Sequence, residues 1–284
     1  MSSSDVQLPP RAAGSGRGGG LLAYLVLAYG LTWAWLAPVW ISGGVVSPGD
    51  GWPTHFPALL GPMVAALLVA ARAGELRGLV ARMVRVRVPA RWWLVAVSPL
   101  GMLLVGLLVA SVTGAPLPAV ADFGVMSGLP AAWGPLLVGL VVVVVNGVGE
   151  ETGWRGFALP ALQRRLAPLA AMLVLAVLWA GWHVPMFGLL TSFREFDAAT
   201  VVGWLLGLTA GSIVLGWLVN RSGSVALVAL WHGLFTIASG TAAGTGTVAA
   251  VVSALVMLWA AVLVLLELRA HRHGTASVLG PPPR

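Results

Sequence analysis

Eight stretches of this chain, at roughly 21–42, 56–73, 92–112, 132–150, 169–187, 199–219, 224–240 and 246–267, run on with scarcely a charge among them. A helix crossing the hydrocarbon of a bilayer needs about 20 mostly apolar residues, because lipid offers no partner for an unbonded backbone group. The seventh stretch is short, and the fourth runs into polar residues at its end. The pattern predicts an all-α, polytopic membrane protein with about eight transmembrane helices, in a single transmembrane domain over residues 20–268. Water is excluded as the solvent on the same ground. Of all residues, 58% are hydrophobic and 9% charged, against about 25% charged in a soluble domain.

The segments between the spans set the orientation. The basic residues are sixteen arginines, with no lysine. If the N-terminus is cytoplasmic, fifteen of them fall on inner segments and only Arg194 outside. Positive charge collects on the cytoplasmic side, so both termini are expected there, in the cytoplasmic membrane. The net charge of +7 then serves topology and anionic lipid, and nucleic acid is not an expected partner. Residues 1–19, made largely of Ser, Gly, Pro and Arg, are expected to be a disordered tail. Residues 269–284 are a second tail. The first span is too long and Trp-rich for a signal-peptide core, and no small-residue cleavage site ends it. Between the second and third spans, residues 74–91 place Leu76, Leu79, Val80, Met83 and Val84 on one helical face and Glu75, Arg82 and Arg85 on the other. That is the pattern of a helix lying in the headgroup plane. The fourteen tryptophans gather near span ends, as an aromatic belt would.

Function is expected where polar residues enter the apolar runs. An ionisable side chain at membrane depth costs about 2.5–3.5 kcal/mol, so it is retained for a reason. Glu150 and Glu151 close the fourth apolar run, while His183 and His232 lie inside the fifth and seventh. The segment from Glu150 to His183 reads as a helical hairpin turning near Ala167–Pro168, which puts both residues at one level, about 24 Å from the turn. His232 would lie about 14 Å into its own span. The three could converge in one pocket below the cytoplasmic surface. Glu151 precedes Arg155 by four residues, the favourable order for a helical ion pair, and Glu150 points about 100° away from that pair. A duller reading ends the fourth span at Glu150 and Glu151, where the interface tolerates acids. Thr236 is expected to bond its own backbone one turn back. Asn146, one turn before Glu150, is not expected at the site.

Three short motifs carry a family resemblance. Glu150-Glu-Thr-Gly-Trp-Arg-Gly156 is similar to the E-E-x-x-x-R-G motif of the CPBP family, the CAAX-type intramembrane proteases and bacteriocin-processing (Abi) proteins. Trp179-Ala-Gly-Trp-His183, followed by Val184-Pro185, resembles its second motif, with tryptophan where many members have phenylalanine. The third motif, H-x-x-x-N or H-x-x-x-D, is half met, by His232 with Thr236 in the last place. The resemblance covers about residues 130–240. It implies a membrane-embedded endopeptidase whose candidate catalytic set is Glu150, Glu151, Arg155, His183 and His232, acting on a membrane-tethered peptide or protein.

Peptide hydrolysis needs a nucleophile, a proton acceptor and a group to stabilise the oxyanion. The chain has no cysteine, which removes disulfides, thiolate zinc sites and thiol nucleophiles. No serine adjoins either histidine in sequence. An activated water is therefore the expected nucleophile and Glu150 its general base. His183 and His232 either position the water and the oxyanion or bind zinc together with Glu150, since two imidazoles and a carboxylate with an open position form a catalytic zinc set. Glu151 and Arg155 read as a structural pair before a catalytic one. Two other functions compete: a non-catalytic bacteriocin-immunity or scaffold protein of the same fold, and a proton-coupled transporter, which the absence of a convincing internal repeat ranks last.

Overall fold

The computed structural model describes residues 19–282. Apart from its last residue, the tail expected at 1–19 lies outside them. The described chain is helical, without strands. Five helices are long and apolar enough to cross a bilayer: α1 (Gly19–Ile41), α6 (Ala131–Gln163), α7 (Pro168–Trp182, continued by a short turn to Leu189), α8 (Ala198–Ser222) and α10 (Gly246–Arg272). A sixth crossing is a broken pair, α4 (Ala90–Ala96) and α5 (Ser98–Thr113), bent by 43°. The remaining two apolar stretches form α2 (Phe56–Arg72) and α9 (Val225–Gly240). At the helical rise each covers only about 25 Å, short of the ~30 Å hydrocarbon thickness. Both are partly walled by other helices, and α9 buries Val225, Leu227, Val228, Ala229, Trp231, His232, Gly233 and Ala238. All eight expected segments are thus helical, and two of them are too short to count as full crossings by length.

The fourth helix outruns its apolar stretch. It continues past Glu150 to Gln163, as the hairpin reading requires and against the duller one that ends the span at the glutamates, so the carboxylates sit inside the helix. Two π-helical turns, Val142–Val148 and Trp154–Ala158, flank Gly149–Gly153, the turn that carries both glutamates. Such widened turns re-aim side chains and concentrate at functional positions. Small residues bring the neighbouring helices into backbone contact here. A Cβ on Gly147 would collide with the carbonyl oxygen of Ala229 in α9, and one on Gly149 would stand 2.7 Å from the carbonyl oxygen of Leu59 in α2.

The helix expected in the headgroup plane is shorter than 74–91. It is α3, Leu76–Met83, followed by an extended run into α4. Leu79 is its buried anchor, and Arg82 Nη2 donates to the carbonyl of Gly156 in α6 at 2.9 Å. On the same side, Gly223 in the left-handed conformation (φ 67°) ends α8, and the Ser224 hydroxyl caps α9 at Leu227 N, 3.2 Å away. The same hydroxyl donates to the carbonyl of Arg85. The arginine-rich loops therefore share one face. The loops after α1, α5, α7 and α9 meet on the other, where Val46 pairs with Leu190, Pro48 with Ser127, and Ala242 N donates to Val125 O at 2.9 Å.

The C-terminal segment folds back on the bundle. α10 runs to Arg272 before the turn. The backbone amides of Val278 and Leu279 donate to Glu267 Oε2 at 2.7 and 3.0 Å. Arg221 Nε and Asn220 Nδ2 hold the carbonyls of Val278 and Leu279 at 3.1 and 2.8 Å, and Leu279 is wholly buried.

Candidate active site

Glu150 and Glu151 are 1% and 0% exposed, and successive residues of one helix turn face different partners. Trp179 Nε1 of α7 donates to Glu150 Oε2 at 2.7 Å, and Asn146 Nδ2, one turn earlier in α6, donates to Glu150 Oε1. Both donors are neutral. Glu151 Oε1 instead accepts from Arg155 Nη1 at 2.8 Å and from His232 Nδ1 at 2.7 Å. Arg155 is fully buried, and its guanidinium lies 4.3 Å from the centroid of the Trp179 ring, as a cation–π contact requires. The Glu151–Arg155 pair expected from the spacing is present. The added finding is that the same carboxylate oxygen holds His232, so the pair also orients a candidate site histidine.

Trp179 is the common neighbour of the set. Its ring centroid lies 5.7 Å from that of His183 and 5.4 Å from that of His232. His183 ends α7, and its Nδ1 bonds the carbonyl of Trp179 at 2.7 Å. A carbonyl only accepts, so Nδ1 carries the proton and Nε2 keeps a lone pair. The contact with the Glu151 carboxylate gives His232 the same tautomer when it is neutral. The hairpin expected between Glu150 and His183 turns at 164–167, and it joins the two residues through Trp179: the indole N–H on one, the carbonyl on the other. The far side of His183 is aromatic, with Trp182, Phe193 and Trp204 at centroid distances of 4.8, 6.4 and 5.4 Å. Glu150 lies six positions before Gly156 on the arginine face, about 9 Å at the helical rise.

The zinc set does not assemble. Among the described residues no three of the ligating types His, Cys, Asp and Glu come together so as to hold one ion. Glu150, His183 and His232 are gathered around the Trp179 indole, both Glu150 oxygens are engaged by N–H donors, and each imidazole is turned by its own Nδ1 bond. No step of the chemistry below is routed through a metal.

Two participants run against the sequence expectation. Thr236 does not bond its own backbone; its hydroxyl donates to Asn146 Oδ1 at 2.9 Å. Asn146, set aside from sequence, is the direct partner of Glu150. The helical spacing held the signal, since Asn146 lies four residues before Glu150 and Thr236 four after His232. The indole donor of Trp179 had no signal beyond its place in the second motif.

A helical membrane bundle that encloses two carboxylates, an arginine and two imidazoles forms a membrane-embedded polar site, and known proteins place it more narrowly. Residues 132–238 match the family of type II CAAX prenyl endopeptidases described as Rce1-like. A curated relative, CAAX prenyl protease 2 of Methanococcus maripaludis, is 26% identical over 134 residues, which cover 45% of this chain and 49% of the relative. The chain thus spans about half the length of the curated relative it matches. The matched segment holds all five candidate residues, and over it the chain is similar to the CAAX-type proteases.

Proposed function

We propose that this protein is an intramembrane endopeptidase that hydrolyses a peptide bond in a membrane-associated substrate, with Glu150 activating the attacking water. The observation that carries this reading is the difference between two adjacent carboxylates. Glu151 is committed to a cation and an imidazole, whereas Glu150 is held by neutral N–H groups alone. A carboxylate has about four acceptor positions, so two bonds fix the orientation of Glu150 and leave it able to take a proton from water. His183 Nε2, left without the proton that Nδ1 places on the Trp179 carbonyl, supplies a second acceptor. His232, backed by Glu151 and Arg155, becomes a donor to the tetrahedral oxyanion when protonated, and the ionised Glu151 stabilises that imidazolium. The collapsing intermediate then takes a proton at its leaving amine, returned by Glu150.

The family match and the name of the archaeal relative support a CAAX-type substrate: a lipidated, membrane-tethered C-terminal peptide losing its last residues. The arginine bias supports an arginine-rich face, and with it both termini, on the cytoplasmic side of the cell membrane. The test is cleavage of a quenched farnesylated CAAX peptide by the protein in lipid nanodiscs. The wild type should cleave, and Glu150→Gln and His183→Ala should each lower kcat by about 100-fold or more. Cleavage that survives both substitutions would remove this site from the chemistry, and a wild type without activity would favour a non-catalytic protein of the same fold.

A further inference from the structure

One of the two bonds that orient Glu150 has a support of its own. Glu150 Oε1 accepts from Asn146 Nδ2, and Asn146 Oδ1 accepts in turn from the Thr236 hydroxyl at 2.9 Å. The chain Thr236–Asn146–Glu150 links α9 to α6 and ends on the proposed base. Asn146 is 8% exposed and lies in the π turn that leads into the glutamates. Thr236 stands where the third motif has Asn or Asp, so the amide at this site comes from α6 while α9 supplies only a hydroxyl.

A side-chain amide can present either end, and the surroundings must choose. The carbonyl end of Asn146 would face the Glu150 carboxylate with lone pairs opposed, which disfavours it. The Thr236 hydroxyl donates to that carbonyl end and so holds the amide with its N–H groups toward Glu150. We propose that Asn146, oriented by Thr236, is a positioning residue that fixes the Glu150 carboxylate for proton abstraction. This rests on the reading of Glu150 as the base. The Thr236 hydroxyl bonds Asn146 and neither glutamate, so its effect on Glu150 passes through Asn146.

That dependence gives the inference a signature beyond lost activity. In the nanodisc peptide assay, Asn146→Ala should lower kcat by about 10- to 100-fold, the range for a bond to a charged acceptor, with KM within about twofold of wild type. Thr236→Val should cost about 3- to 10-fold in kcat, and Thr236→Ser, which keeps the hydroxyl, should restore it. The double variant Asn146→Ala/Thr236→Val should match Asn146→Ala alone, because the second change removes a support whose load has already gone. Should Asn146→Ala not fold, Asn146→Leu keeps the volume without the amide and takes its place in the cycle. Multiplied losses in the double variant, or a loss confined to KM, would overturn the inference. If Glu150→Gln is inactive while Asn146→Ala keeps the wild-type kcat, this inference alone falls. If Glu150→Gln keeps the wild-type rate, the reading of Glu150 falls and takes this inference with it.

Discussion

Where α6 crosses α9, the protein encloses its charge; along the middle turns of α5 and α10 it turns mostly hydrocarbon outward. Glu150, Glu151, Arg155 and His232 are all below 8% exposed. Leu104, Leu108, Val112, Leu258 and Leu265 are each more than half exposed, with Val112 at 87%. In water this would be an inverted protein. In lipid the exposed leucines cost nothing, and the enclosed charges stay only because each finds a partner. The stability of the central region therefore rests on polar partnership and on backbone contact at glycine, while that of the periphery rests on apolar matching to the bilayer.

Breaking the partnership should give the largest stability effects. Arg155→Ala leaves Glu151 buried without its cation, and loss of one partner of a buried pair costs about 3–5 kcal/mol. A thermal-unfolding or steric-trap measurement should show it. A change of less than ~1 kcal/mol, the range of surface pairs, would mean that the centre is wetter than its burial implies. Next comes Gly147→Ala, whose new methyl group meets the carbonyl of Ala229. Overpacking of this kind costs about 1–3 kcal/mol, and the displaced α9 should carry His232 with it, so kcat falls alongside stability. At the periphery, Leu258→Ala, 62% exposed before substitution, should stay within about 0.5 kcal/mol of wild type. Smallest of all, a chelator such as 1,10-phenanthroline should leave the cleavage rate within about twofold, since the ligands of the expected zinc set do not come together. Complete, zinc-reversible inhibition would restore that set.

The same contrast explains what the sequence could show. The lipid-facing runs were legible because a bilayer permits little else, and all eight stretches are helices. Hydropathy falls at Asn146–Glu151, yet the helix continues there, because Trp179, His232 and Arg155 satisfy the two carboxylates from inside the bundle. The Glu151–Arg155 spacing and the Glu150–His183 hairpin were readable from helical geometry alone. Asn146 and Thr236 were not, because a small polar residue in a membrane helix commonly bonds its own backbone. Only the packing of α9 on Gly147 brings these two together. The zinc set failed for a related reason: residue types fix which atoms could bind a metal, and the Nδ1 bonds of His183 and His232 fix where those rings face.

The proposed chemistry depends most on two neighbouring carboxylates doing different work. Glu150→Gln and Glu151→Gln, measured side by side for thermal stability and peptide cleavage in nanodiscs, test it most directly. Glu150→Gln should lose cleavage with the smaller loss of melting temperature, because it removes the proton acceptor and leaves only one of two neutral N–H donors facing an amide nitrogen. Glu151→Gln should melt clearly lower, because a buried arginine and an imidazole lose their shared anion. A Glu150→Gln protein that still cleaves, or two variants alike in both stability and rate, would contradict the account.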